Sequence, residues 1–323
     1  MSQKNKIFFK VEGSQKIGMG HVFRSFYLIK QLKLRNDIII FTKENSECEY
    51  FFKKKNLRVI VYKKTNEFKI FKKKLKDLKI TKFVNDSIYL NKNIRDHLIK
   101  TKYKSYFLDT KKITPSQNFH CINTFLGSRK NHKNYYSGLE FIIKDPNLKF
   151  KIIKFKPNDK IKIVFHFGGT DEKKLNLKIL KILSSHTNIK SISIILGPAL
   201  TYKKNEIKKI INEIKIPCVL FDYPKNLSKI YNTAHMGIIS GGNTLFNFCS
   251  GGKINISIST NEYEKNNCLK MEKLKLTNYY GHYNNLKKNK FLILLKKIHN
   301  KADNKKKLFK ADGIKKITNI INN

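Results

Sequence analysis

Short apolar runs alternate with longer amphipathic segments along this chain. KIFFKV at 6–11 reads as a first strand, and the loop EGSQKIGMGH follows it. Apolar residues at Val22, Phe23, Phe26, Tyr27, Ile29 and Leu32 then recur at nearly helical spacing, which predicts a helix over 22–34. DIIIFT at 37–42, LRVIVY at 57–62, TKFVN at 81–85 and YKSYFL at 103–108 predict further strands, with Lys-rich amphipathic segments between them. This alternation is the mark of βαβ units and a parallel sheet. The stretch 144–160, with two prolines and weak patterning, reads as a boundary, so domains of 1–150 and 151–323 are expected. The alternation restarts with IKIVFHF at 161–167, a helix from Glu172 to Leu183, and strands at 191–196, 216–221, 236–240 and 254–259. The end, from Lys288 to Asn323, reads as helical and basic. The fold class expected is therefore α/β: two Rossmann-like domains whose parallel sheets face across a cleft, the kind of place that binds ligands.

Composition supports this and narrows the chemistry. With 40% hydrophobic residues, 23 Phe and 15 Tyr in 323 residues, both cores can be filled. Lys plus Arg number 68 against 23 acids, a formal charge of +45. Such a charge suits nucleic acid, but the lysines are spread along the chain and greatly outnumber arginine, the usual base reader. No specific nucleic-acid partner is expected. The basic surface suits anionic nucleotide-sugars and weak association with an anionic membrane face. The five cysteines (Cys48, Cys121, Cys218, Cys249, Cys268) form no CxxC pair, which argues against a zinc site or disulfide framework. No apolar run approaches the ~20 residues of a membrane span, and no signal-peptide pattern opens the chain. A soluble, cytoplasmic protein is expected.

Three glycine-bearing loops lie between a strand and a helix. Gly18-Met19-Gly20-His21 follows the first strand. Glycines there allow positive φ and close backbone approach, and a helix N-terminus offers N–H groups to an anion. His21, at that helix start, is a candidate general base or a structural cap. Gly168-Gly169-Thr170-Asp171 follows the strand at 161–167. Thr170 or Asp171 can cap the next helix, and the turn can equally line a ligand site. His166 reads as packing at a strand end. Ser240-Gly241-Gly242-Asn243-Thr244 is a candidate diphosphate cradle. Asp86 and Asp109, at strand ends, read as caps or turn residues ahead of a site role. No paired glycosidase carboxylates stand out.

At these residues a family resemblance emerges. EGSQKIGMGHVFRSFYLIKQL resembles the opening of the UDP-2,4-diacetamido-2,4,6-trideoxy-β-L-altropyranose hydrolases of pseudaminic acid synthesis, through Glu12, Ile17, Gly18, Gly20, His21 and Arg24. FGGTDEKKLNLKIL is similar to that family's GGTD segment, and SGGNTLFNFCSGGKI to its small-residue loop and helix. Asn261-Glu262 falls where the family often has Asn-Gln, and YYSGLEFIIKDP and KADGIKKITNII resemble two further islands.

The resemblance implies a GT-B-like fold related to MurG. It implies inverting hydrolysis of a UDP-sugar at the anomeric C–O bond, with His21 as the base that activates water and with no metal or cofactor. It also implies that Gly18, Gly20, Arg24, Lys144, Gly168, Gly169, Thr170, Asp171, Gly241, Gly242, Thr244, Asn247, Asn261 and Glu262 contact the substrate, the C-terminal loops holding UDP. The chain departs from the pattern at Asn247, where the family has a Glu suited to ribose hydroxyls, at Lys144, where it has Arg, and at Glu12, where Asp is commoner. Lys lacks the bidentate fork of Arg. Two other readings stand beside the hydrolase: a glycosyltransferase of the same fold, and a non-catalytic binder of nucleotide-sugar or nucleic acid.

Overall fold

Strands of a parallel sheet are covered on both faces, so they read as unbroken apolar runs. That is why IFF at 7–9 and III at 38–40 form strand centres, almost wholly buried. The computed structural model describes residues 4–15, 17–125, 131–184, 186–301, 309 and 311–323. Two compact units result, Met1–Ile143 with Ala311–Asn323, and Lys144–Lys310.

In the first unit the elements are β1 (Asn5–Val11), α1 (Gly20–Leu32), β2 (Asn36–Lys43), α2 (Glu47–Lys54), β3 (Arg58–Tyr62), α3 (Glu67–Asp77), β4 (Lys82–Asp86), α4 (Lys92–Lys100), β5 (Ser105–Leu108), β6 (Phe119–Asn123) and β7 (Tyr135–Ser137). The sheet is parallel, in the order β3-β2-β1-β4-β5-β6-β7. Its core contains stacked and edge-on aromatics, Phe8, Phe41, Phe71, Phe83 and Phe107, with Phe8 and Phe41 centroids 4.7 Å apart.

The second unit runs β8 (Ile161–His166), α5 (Leu175–Leu183), β9 (Ile189–Leu196), α6 (Lys204–Glu213), β10 (Cys218–Asp222), α7 (Leu227–Tyr231), β11 (Met236–Ser240), α8 (Asn243–Ser250), β12 (Ile254–Ser259), α9 (Glu262–Lys273), β13 (Asn278–His282) and α10 (Lys288–Lys301). Its sheet is also parallel, in the order β10-β9-β8-β11-β12-β13. The core here is aliphatic, built on Ile163, Ile179, Ile192, Ile238 and Ile256.

The last helix, α11 (Gly313–Asn322), returns to the first unit and packs on α1. The sequence grouped it with 151–323. Lys82 Nζ donates to the carbonyls of Ile321 and Asn322 at 2.5 and 2.9 Å, and Lys104 Nζ to that of Asn323 at 2.8 Å. Cations at a helix C-terminus meet its free carbonyls and its negative dipole end.

Three strands went unpredicted. All three are short: β6 (FHCIN) carries His120, β7 is YYS, and β13 (NYYGH) carries Gly281 at a register irregularity opposite β12. β7 and β13 are edges, where polar residues guard against further pairing. The helix expected from Glu172 starts three residues later, because Asp171 and Lys174 hold left-handed φ of 44° and 53°. Of the predicted C-terminal helix, residues 302–308 and 310 lie outside the described residues.

Candidate active site

Each sheet has one place where the strand order reverses, between β1 and β4 in the first and between β8 and β11 in the second. In open α/β sheets ligands bind beyond the carboxyl ends of the strands at this switch point. The three glycine loops follow β1, β8 and β11, so all lie at these points.

In the first unit Gly18 takes φ +89°, a conformation that favours glycine, and its N–H donates to the Ser14 carbonyl at 2.7 Å. This closes the loop and delivers the chain into α1. His21 and Arg24 are one helical turn apart and so share a face. That face meets Asp86 at the end of β4. His21 Nδ1 lies 2.7 Å from Asp86 Oδ1. Arg24 Nε is 3.1 and 3.0 Å from the two Asp86 oxygens, its Nη2 also donates to Oδ1, and Ser25 Oγ donates to Oδ2 at 2.6 Å. Arg24 Nη1 reaches Asp109 Oδ2 at 2.6 Å and Thr124 Oγ1 at 2.7 Å, and the ring of Phe125 lies against the guanidinium.

The electrostatics follow from burial. Arg24 and Asp86 are 1% and 0% exposed, while the His21 side chain keeps 12%. Burial alone would raise the Asp86 carboxyl. The adjacent Arg24 and His21 outweigh it and hold the carboxyl well below the usual range. Arg24 Nη2 also lies 3.0 Å from the same His21 Nδ1. In the tautomer whose Nδ1–H donates to the ionised Asp86, Nε2 carries the lone pair. A neutral imidazole oriented in this way can take a proton from an O–H nucleophile.

Arg24 was expected to contact substrate. Its donors point into the protein at Asp86, Asp109 and Thr124, so it organises the site from beneath. Asp86 and Asp109 read from sequence as caps or turn residues. Instead they clamp Arg24, and Asp109 also accepts from the Thr124 backbone at 2.9 Å. An acid at the end of each of two neighbouring strands, with an Arg one turn after His21 in the first helix, was the signal available for them.

In the second unit the loops after β8 and β11 come together: a Cβ built on Gly168 would lie 3.7 Å from Ser240 Oγ. The loop after β8 is braced from β9, with Ala199 N donating to Gly169 O at 3.0 Å and Thr201 N to Thr170 O at 3.2 Å. Asp171 is a cap: its carboxylate accepts from Leu175 N at 2.7 Å, Asn176 N at 3.1 Å and Tyr202 OH at 2.6 Å, and burial raises its carboxyl to about 6 despite those bonds. His166 packs against Tyr231, as expected, with Nδ1 2.5 Å from its hydroxyl.

The loop after β11 opens α8 through Gly242, and Thr244 is buried beneath it. Asn247, on that helix, does not stand free for a ligand: its Oδ1 accepts from the Asp145 backbone at 3.0 Å and so ties down the 144–151 segment. Lys144 is half-buried beside it. Asn261 is the N-cap of α9, accepting from Glu264 N at 3.0 Å, and Glu262 is 75% exposed beside Lys265. Glu264 carried no signal of its own in the sequence. Its carboxylate lies under Gly241–Gly242 and accepts from Thr260 N and Oγ1, both at 2.8 Å; burial raises its carboxyl. No group of three or more His, Cys, Asp or Glu among the described residues is arranged to hold a metal ion. No helix among them is long and apolar enough to cross a membrane.

Comparison with known proteins agrees with this architecture. Residues 163–323 match the model of the glycosyltransferase family 28 C-terminal domain. Over 262 residues, 75% of the chain, the sequence is 25% identical to an uncharacterized protein of Methanocaldococcus jannaschii, of whose length the chain spans about half, 53%. Among solved structures it is similar to MurG of Acinetobacter baumannii, with a TM-score of 0.64 at 11% identity over 99% of each chain. It is also similar to the UDP-GlcNAc 2-epimerase of Neisseria meningitidis bound to UDP-GlcNAc, with a TM-score of 0.57 at 12% identity over 98% of this chain and 100% of that one. At these identities the likeness is one of fold, the GT-B class with two Rossmann-like domains.

Proposed function

We propose that this protein cleaves the anomeric C–O bond of a UDP-linked diacetamido-trideoxy sugar by hydrolysis, with His21 as general base. The observation that carries the reading is the His21–Asp86 pair at the switch point of the first sheet. Asp86 fixes the tautomer and stabilises the imidazolium that forms, the part a buried carboxylate plays in hydrolytic triads. Water attacks C1 as the C1–O bond to UDP breaks, and its proton passes to His21 Nε2. Attack opposite the leaving group inverts the anomeric centre. UDP leaves as an anion, to which the loop at Gly168–Thr170 and the N-terminus of α8 at Gly242 are suited. The epimerase neighbour is bound to UDP-GlcNAc, which supports a UDP-sugar as the ligand class.

A second reading has its own support. The family 28 match over 163–323 favours transfer, in which His21 deprotonates an acceptor hydroxyl in place of water. The two share the base and differ in the nucleophile. Incubation of the purified protein with UDP-linked diacetamido sugars is expected to release UDP together with free sugar. A glycoside product, formed only when an acceptor is added, would establish transfer. His21→Ala is expected to lose at least about 10²-fold in rate; an unchanged rate would remove His21 from the chemistry.

A further inference from the structure

A second charged cluster sits at the same edge of the first sheet and is not used by the chemistry above. Lys10, in β1, is 1% exposed, and its ammonium pairs with Glu12 Oε1, lies 3.4 Å from Glu67 Oε1 and reaches Ser87 Oγ at 3.4 Å. Tyr62 OH, at the end of β3, donates to the same Glu12 oxygen at 2.9 Å. Asn91 Nδ2 donates to Glu67 Oε2 at 3.0 Å, which anchors the far side.

Three ionisable groups removed from water at one spot are costly unless well paired, and such clusters concentrate at functional sites. Glu12 is the member most open to solvent, against 10% exposure for the Glu67 side chain and 1% for Lys10. The Glu12 side chain is 29% exposed, one of its oxygens is held by two donors, and Oε2 has no partner among the described residues. Ser87 is the residue after Asp86, so the cluster adjoins the His21 network through the Lys10–Ser87 contact. Glu12 also follows β1 directly and opens the loop that carries His21.

Resting on the function proposed above, we infer that Glu12 is a substrate-recognition residue whose Oε2 accepts a hydrogen bond from a hydroxyl or acylamino N–H of the sugar. Its surroundings suit it to accept and not to act as a base. Burial would raise the carboxyl, but the charge of Lys10 and the hydrogen bonds from Lys10 and Tyr62 hold it below the usual carboxylate range. It stays ionised at neutral pH and returns no proton, while His21 does the proton transfer. Fixing Oε1 from two sides sets the direction of Oε2, so a sugar that presents its donor elsewhere is rejected.

The test uses the full-length protein and the UDP-sugar it turns over, alongside analogues of that sugar lacking one hydroxyl or one acylamino group at a time. Glu12→Gln keeps an oxygen for Lys10 and Tyr62 and puts an NH2 in the place of Oε2. The expected result is a KM raised about tenfold or more with kcat within about threefold, the scale of a hydrogen bond to a charged group. One analogue should be disfavoured by the parent protein and turned over by Glu12→Gln as well as the full sugar. Tyr62→Phe, which removes one of the two bonds fixing Oε1, should raise KM in the same direction by less. Active parent protein with an unchanged KM in Glu12→Gln overturns the inference and leaves the proposed function standing. So does a parallel fall of kcat/KM on every analogue, the mark of a structural role. A parent protein that turns over no UDP-sugar overturns both.

Discussion

His21 Nδ1 lies 2.7 Å from Asp86 Oδ1, and the same carboxylate is gripped by Arg24, itself almost wholly buried. The base is thereby oriented by a group that is itself immobilised. A histidine at the mouth of a loop would otherwise rotate and exchange tautomers, and holding it in one geometry is what makes it useful.

Asp86→Asn tests the orientation directly. The amide can donate to Nδ1 and favour the wrong tautomer while keeping the shape of the site. The rate of UDP release is expected to fall by about 10³–10⁴-fold, with KM changing far less. A rate within threefold of the parent would show that Asp86 serves the fold alone.

Arg24→Met should act on stability before it acts on catalysis. Removing the guanidinium leaves Asp86 and Asp109 buried without their cation, a loss of about 3–5 kcal/mol. Arg24→Lys retains a charge but cannot reach Asp86, Asp109 and Thr124 together. Denaturant unfolding should rank the parent above Lys, and Lys above Met.

The pH dependence of stability separates two carboxylates of opposite sign. Asp86 is held below its unfolded value, so its contribution is present above an unfolded pKa of about 3.9 and is lost as the pH falls below it. Asp171 is raised to about 6. Its contribution is complete below about pH 3.9 and declines as the pH rises through 6, because the unfolded chain ionises first. Asp171→Asn should therefore abolish a decline on the order of 2–3 kcal/mol between pH 4 and pH 6. Unfolding free energies measured at half-unit pH steps on both proteins decide this, and identical profiles would refute it.

Gly197→Ala probes the loop after β8. The added Cβ would lie 2.3 Å from the Gly169 carbonyl oxygen and 2.4 Å from its Cα, backbone atoms that cannot swing aside. The Gly168–Thr170 turn must then shift away from β9. UDP affinity, read by calorimetry, is expected to fall at least tenfold if this turn holds the nucleotide. Unchanged affinity would place the nucleotide elsewhere.

The alternation of strands and helices was legible because parallel strands are apolar on both faces, and the three glycine loops were legible because strand-to-helix turns need residues free of a side chain. The role of Arg24 was not. The family resemblance made it a substrate contact, and nothing local to SFYLIK says that Asp86 and Asp109 will meet it. For the same reason those acids read as caps, and Asn247 as a ligand position when it instead braces Asp145.

What the sequence by itself determined is local: the periodicity of each element, the turn glycines, and the His21–Arg24 spacing that puts both on one helix face. Tertiary structure decided which distant strand ends meet that face, which charges lose their water, and that α11 lies on α1. The division has a physical reason. Periodicity is set by backbone geometry over a few residues, whereas burial and ion pairing depend on partners such as Arg24 and Asp109, 85 residues apart, that only the strand order β1-β4-β5 brings together.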